Sequence, residues 1–187
     1  MSTSDACCAV AQDLKGLTLA KVVYVGLFYE GRPEGGWDFG DLHWPEVGVE
    51  LTTIDGEPYH AIWDSEVTHF DLTLAKGPIS DRWLPLRDTP DQARSWDVSD
   101  HPRWQPFLGV PISDVSVLTG EVGASATPQV PVAVRIEASG QPVWIIEAQP
   151  KDASELDLRP DNFFIGSDEV IVIFGDGGAQ NLGLPLP

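Results

Sequence analysis

Two stretches of this chain read as one strand pattern written twice, and an internal repeat restricts the possible fold more than composition does. The run Leu14-Lys15-Gly16-Leu17-Thr18-Leu19 through Val25 matches Phe107-Leu108-Gly109-Val110-Pro111-Ile112 through Val117. Gly16 falls on Gly109, Leu19 on Ile112, Val22 on Val115 and Tyr24 on Val117, a constant offset of 93. Further on, Gly56-Glu57-Pro58-Tyr59-His60-Ala61-Ile62 matches Gly140-Gln141-Pro142-Val143-Trp144-Ile145-Ile146 at an offset of 84. The blocks come in the same order, so one difference in loop length accounts for both spacings.

The segments around these blocks carry strand signals. Leu19–Tyr29 is a branched and aromatic run of the kind covered on both faces. Val47–Ile54 and Glu57–Trp63 flank Asp55-Gly56, a short-range hairpin signal, and Ser139-Gly140 takes that place in the second half. Thr68–Leu74 alternates, with Phe70, Leu72 and Leu74 on one face and Asp71 and Thr73 on the other, as in a half-exposed strand. Pro111–Leu118, Val130–Ala138, Gln141–Glu147 and Asp168–Phe174 replay the series. Val170 to Phe174 is apolar throughout, which predicts a fully covered strand with Val172 in the core.

Each half thus reads as a long strand, a loop, a hairpin and a closing strand. The prediction is an all-β, mainly antiparallel protein, built by tandem duplication of a four-stranded unit. Eight strands suit either a closed barrel or two packed sheets, since both remove exposed edges. The expected organisation is a flexible N-terminal tail (1–13), a first β repeat (14–75) and a Pro/Trp-rich connection (76–106). A second repeat (107–175) and a C-terminal tail (176–187) follow. Ser4 or Asp5 can cap a short helix through Ala6–Leu14. Glu30–Pro45 and Lys151–Asn162 read as loops, and Thr89–Arg94 can form one helical turn with Pro90 at its first position.

Charge excludes several functions. Eleven basic against 29 acidic residues leave a net charge of −18. Such a surface repels phosphate backbones and anionic lipid heads, so neither nucleic acid nor membrane is an expected partner, whereas a basic protein is. The start of the chain has no basic segment followed by an apolar one, and cytoplasmic location is expected. The only cysteines, Cys7 and Cys8, are adjacent and form no disulfide framework, so a reduced, incidental pair is expected.

No catalytic motif is present: Gly-x-Ser-x-Gly, the phosphate loop and the dinucleotide fingerprint are all missing, and no cofactor is expected. Gly175-Asp176-Gly177-Gly178 follows a strand, but no helical pattern or lysine follows it, so it reads as a tail turn. Asp97, Asp100 and His101 can be drawn as an acid–base cluster, yet no nucleophile stands beside them. The expectation is that Asp97 caps a turn and Trp104 packs the connection against the second half. His60, Asp64 and His69 fall on consecutive strands, but nothing sets their register, and no metal site is expected.

The nine-residue difference between the two offsets places extra chain between Gly31 and Pro45 in the first half. Loops on a rigid scaffold carry function, and aromatic residues anchor interfaces. The candidate binding residues are therefore Trp37, Phe39, His43 and Trp44, with Asp38 and Asp41 steering. The alternative is that Trp37 and Trp44 fold back as a lid on the core. The expected function is a non-enzymatic protein-binding module, an immunity- or antitoxin-like inhibitor of a basic partner. In general type the chain is similar to bacterial immunity or accessory proteins, a likeness that assigns no residues. Two other readings are a small-molecule-binding barrel or enzyme with its site at the mouth, and a DNA mimic, which needs carboxylates aligned on one face.

Overall fold

The computed structural model describes residues 3–27, 36–64, 71–83, 85–88, 92–120, 129–151 and 162–185. Expectations placed on Tyr29, Thr68 to Phe70, Pro90 and the acidic residues between Asp152 and Asp161 lie outside them. Among the described residues ten strands form two five-stranded sheets that pack face to face. The first contains β1 (Leu19–Leu27), β3 (Gly48–Thr53), β4 (Pro58–Asp64), β5 (Asp71–Lys76) and β6 (Ala93–Asp97), in the order β5-β4-β3-β1-β6. The second contains β2 (Leu42–Glu46), β7 (Ile112–Gly120), β8 (Val130–Ala138), β9 (Gln141–Pro150) and β10 (Phe163–Phe174), in the order β2-β10-β9-β8-β7. All strand pairs are antiparallel.

Each half therefore contains the same meander, β1-β3-β4-β5 and β7-β8-β9-β10. The extra strands join opposite ends: β6 pairs with the first strand of its meander, β2 with the last of the other. Where the halves meet, their contacts are reciprocal. The Gly16 N–H donates to the Ile112 carbonyl (2.9 Å) and the Gly109 N–H to the Leu19 carbonyl (2.8 Å), while Thr18 bridges Pro111. At the offset of 93 these two bonds are images of one another, and Thr18 meets its own counterpart, as about a two-fold axis. Gly16 and Gly109 both have positive φ, at 88° and 72°, which favours glycine at both places. The common topology belongs to the structure; a tandem origin is a reading of the sequence blocks.

The sheets do not close into a barrel. Apart from that bridge their edges are covered instead of paired. On one side, α1 (Thr3–Leu14) packs against β5 and β7, an edge strand of each sheet. It buries Cys7, Ala11 and Leu14. Cys7 Sγ accepts from the Leu74 N–H (3.3 Å) and donates to the Leu72 carbonyl (3.6 Å), so a thiol satisfies the open edge of β5. The residues read as a flexible tail are thus a structural helix, and Cys7 is not incidental. The segment read as a C-terminal tail likewise holds α4 (Asp176–Asn181), which buries Ala179 against the outer face of the second sheet. Asp176 accepts from Trp144 Nε1 at 2.9 Å and from Arg135. On the first sheet's outer face, α2 (Ile79–Arg82) supplies Ile79 to a small cluster with Val25, Val47 and Ile62. A further helical turn, α3 (Pro85–Asp88), precedes β6. Among the described residues no helix is long and apolar enough to cross a membrane.

The main core lies between the sheets, where Val143 and Ile145 of β9 meet Val22, Tyr24, Val49, Leu51, Leu72 and Leu74. Glu147 continues that β9 face and is fully buried, with neither carboxyl oxygen hydrogen-bonded. Asp71, read as exposed, is buried too. Burial, with Asp71 and Asp168 nearby, pushes the Glu147 carboxyl up to about 9. In the unfolded chain it ionises near its ordinary 4.5. The folded protein therefore holds one more proton between these values. The resulting stability is full below about pH 4.5 and is lost as pH rises towards 9, amounting to about 3 kcal/mol by pH 7. Glu147→Gln should accordingly raise the melting temperature by about 6–12 °C at pH 7 and hardly at all at pH 4. Melting both proteins across that range tests it; a gain independent of pH would contradict the burial of a neutral Glu147.

Candidate functional site

The side of the sandwich opposite α1, where β6 and β2 are the edge strands, is closed by aromatic and histidine side chains. Their scaffold is a short hairpin from Trp37 to Trp44. The Trp44 N–H donates to the Trp37 carbonyl (2.7 Å) and the Phe39 N–H to the Leu42 carbonyl (2.9 Å). Asp38 Oδ1 accepts from the Gly40 N–H at 2.9 Å, an aspartate turn that sets the bend, and Gly40 supplies the positive φ of 83°. The segment then enters the second sheet as β2, so the loop read over Glu30–Pro45 ends in a strand.

All six candidate residues lie on this hairpin, in three environments. Phe39, Asp38 and Asp41 form the exposed tip, with Phe39 40% exposed. Asp41 pairs with Arg103 across the tip. His43 turns into the main core and is completely buried. Trp44, next in the strand, packs with the outer cluster against Phe163, and its indole N–H donates to Glu169 at 2.8 Å. Trp37 is half-buried against Tyr24, His43, Trp96 and His101, with ring centroids 5.1–5.9 Å apart. Trp37 and Trp44 therefore face different clusters.

A chain of hydrogen bonds runs inward from the hairpin. Trp104 Nε1 donates to Tyr24 Oη (2.7 Å), and Tyr24 Oη lies 2.7 Å from His43 Nδ1. An indole N–H can only donate, so the Tyr24 oxygen accepts there; its hydroxyl proton goes to its other hydrogen-bond partner, His43 Nδ1, and the neutral His43 ring then carries its proton on Nε2. That nitrogen is buried and lacks a hydrogen-bond partner, although Asp38 Oδ1 lies 3.5 Å away. His101 approaches from the segment after β6: its Nε2 lies 3.2 Å from Asp38 Oδ2, and its Nδ1 accepts from the Arg103 N–H. The two imidazole rings are edge to face, 4.5 Å apart.

Burial lowers the His43 pKa to about 4, and the neighbouring His101 and Arg103 charges act in the same direction against Asp38. Burial raises the Asp38 carboxyl, but the Gly40 N–H and the His101 and His43 rings outweigh it and hold it below its ordinary value. Burial also keeps the Tyr24 phenol well above its usual range. Tyr24, His43 and Asp38 resemble a nucleophile–base–acid series only in order. Tyr24 is sealed in the core, so it reaches no substrate.

Ligand atoms of Asp38, His43 and His101 lie within 4.8 Å of one another, the one grouping of three metal-ligand side chains among the described residues. His60 belongs to no such grouping: its Nδ1 lies 2.8 Å from the Gly77 carbonyl, and His69 lies outside the described residues. Asp97 does not join His101 but accepts from the Ser99 N–H, capping a turn. Beside the tip a cleft of about 360 Å³ is lined by Asp41, Arg103, Phe107, Gln141, Phe174 and Gly175. Sequence reasoning missed Tyr24, Trp96 and His101 as members of this cluster.

No family model, curated protein or solved structure matches this chain.

Proposed function

We propose that this chain is a cytosolic binding module that captures another protein, one with a basic face, through the tip of the Trp37–Trp44 hairpin. The observation that carries this reading is Phe39, a large apolar side chain left 40% exposed between the carboxylates of Asp38 and Asp41. The base beneath is held by aromatic packing and hydrogen bonds, so little order has to be gained on binding. An exposed aromatic ring on a rigid base supplies a hot spot, and a net charge of −18 draws a basic partner in. An immunity- or antitoxin-like inhibitor of a basic enzyme has these needs. Trp37 and Trp44 belong to the supporting structure in this account, as a lid does, and not to the contact itself.

The experiment is purification from the native host, identification of the co-purifying protein by mass spectrometry, and calorimetric titration of that protein. Phe39→Ala with Asp41→Asn should weaken capture by about 30-fold or more, since a hot-spot aromatic is worth about 2 kcal/mol. The melting temperature should hardly move, because the Asp41–Arg103 pair is exposed. Unchanged affinity in the double variant would dismiss the tip as the contact. A second reading, small-molecule binding, rests on the adjoining cleft, whose volume suits a small ligand. It requires affinity for a small molecule that is lost when Gln141 is enlarged and kept when Phe39 is removed.

A further inference from the structure

We propose that Asp38, His43 and His101 form a binding site for one divalent transition-metal ion, zinc or a close relative. Tetrahedral zinc with bonds of about 2.0–2.1 Å spaces its ligand atoms by about 3.3 Å. Here Asp38 Oδ1 stands 3.5 Å from His43 Nε2, and Asp38 Oδ2 stands 3.2 Å from His101 Nε2. Each histidine nitrogen thus stands near one edge length from a different Asp38 oxygen, and single ligand atoms of the three side chains lie within 4.8 Å of one another, so the set has to draw in by about 1.5 Å or less to reach tetrahedral spacing. Two imidazoles and one carboxylate suit zinc, iron or copper, and they leave a position for water.

The independent observation is His43 Nε2. It belongs to a side chain with no solvent exposure, faces the other two donors, and makes no hydrogen bond. A buried polar atom without a partner is a rarity that calls for a cause. A hydrogen-bonded Asp38–His101 pair would account for His101 alone and would leave His43 as it is. A metal ion accounts for both.

Binding moves protons in a defined way. The His43 ring changes tautomer: its one N–H proton moves from Nε2 to Nδ1, no proton is released on balance, and Nε2 becomes a neutral ligand. The Tyr24 oxygen has two lone pairs and can accept from both Trp104 Nε1 and His43 Nδ1, which is the outer support a metal-bound imidazole usually has. The Tyr24 proton then loses its acceptor, and His101 exchanges its Arg103 contact for a proton on Nδ1, so both changes reduce the affinity. The field of a chain carrying −18 favours a cation. This site does not depend on partner capture: metal binding can fail while the tip still binds, or the reverse.

The test uses the full-length protein, stripped with chelator and dialysed, then titrated with Zn²⁺ by calorimetry and with Co²⁺ by visible absorption. One ion should bind per chain and raise the melting temperature. Asp38→Asn and His101→Ala, both near the surface and each checked for an unchanged metal-free melt, should weaken binding by at least about 10–100-fold. Cys8→Ser should not alter it. Absence of saturable binding, binding that both ligand variants leave unchanged, or a Co²⁺–thiolate absorption band lost in Cys8→Ser would each overturn the site.

Discussion

Val172→Asp should yield no folded protein. Val172 sits mid-strand in β10, paired with Ile145 on one side and His43 on the other, and has no exposure to solvent. Its side chain belongs to the core between the sheets, with Tyr24, Trp104 and Ile145. An unpaired carboxylate there costs several kcal/mol, against a total stability of about 5–15 kcal/mol for a domain. Protonating the new group offers limited relief, because a neutral carboxyl is still a polar group placed in an apolar core. Circular dichroism and a thermal melt decide it. A soluble Val172→Asp variant that melts cooperatively would remove this strand from the core.

β10 and β1 were readable through the runs Val170–Phe174 and Val22–Val25, which are apolar at position after position, and only a strand covered on both faces sustains that pattern. β2 was not readable. It reads Leu-His-Trp-Pro-Glu, and Pro45 argues for a loop unless the strand lies at a sheet edge, where a missing N–H is harmless. β6 reads Ala-Arg-Ser-Trp-Asp and is also an edge, so Ser95 and Asp97 face water and the polar residues hide the strand. The residues of α1 read as a tail with at most a short helix, because no local signal announces tertiary contacts such as the one between Cys7 and β5, and most helical stability comes from packing. The choice between barrel and packed sheets had no local signature, since it depends on whether distant edges meet.

For the candidate site, excess loop length pointed to the hairpin from Trp37 to Trp44, but side-chain direction within it was hidden. Had β2 been visible as a strand, alternation would have placed His43 and Trp44 on opposite faces. His101 was read with Asp97 and Asp100 because they are its neighbours in sequence. Its partner, Asp38, lies 63 residues away. Tyr24 looked like any strand aromatic, because nothing in the chain reports that Trp104, 80 residues on, donates to its hydroxyl.

Trp104→Ala and Trp104→Phe should differ in kind as well as in degree. Trp104 is fully buried, with Phe174 and Phe107 rings 5.3 and 5.7 Å from its own, and it joins the connection after β6 to the second sheet. Removing such a side chain costs about 3–5 kcal/mol, which in a chain of this size lowers the melting temperature by about 6–20 °C. Phenylalanine keeps much of the volume and loses the indole N–H, so its cost should be nearer the 1 kcal/mol of one hydrogen bond. Its particular effect falls on His43. The Trp104 donor polarises the Tyr24 hydroxyl and strengthens the bond it gives to His43 Nδ1; without that donor the two tautomers of the ring come closer in energy, and the ring can carry its proton on either nitrogen. Nitrogen-15 shifts of the His43 side chain should report Nε2–H in the metal-free natural protein and a mixture of tautomers in Trp104→Phe. If Trp104→Ala melts within a degree or two of the natural protein, the wedge it forms between the sheets is not structural. If the tautomer is the same in Trp104→Phe, the hydrogen-bond chain from Trp104 through Tyr24 does not set the state of His43.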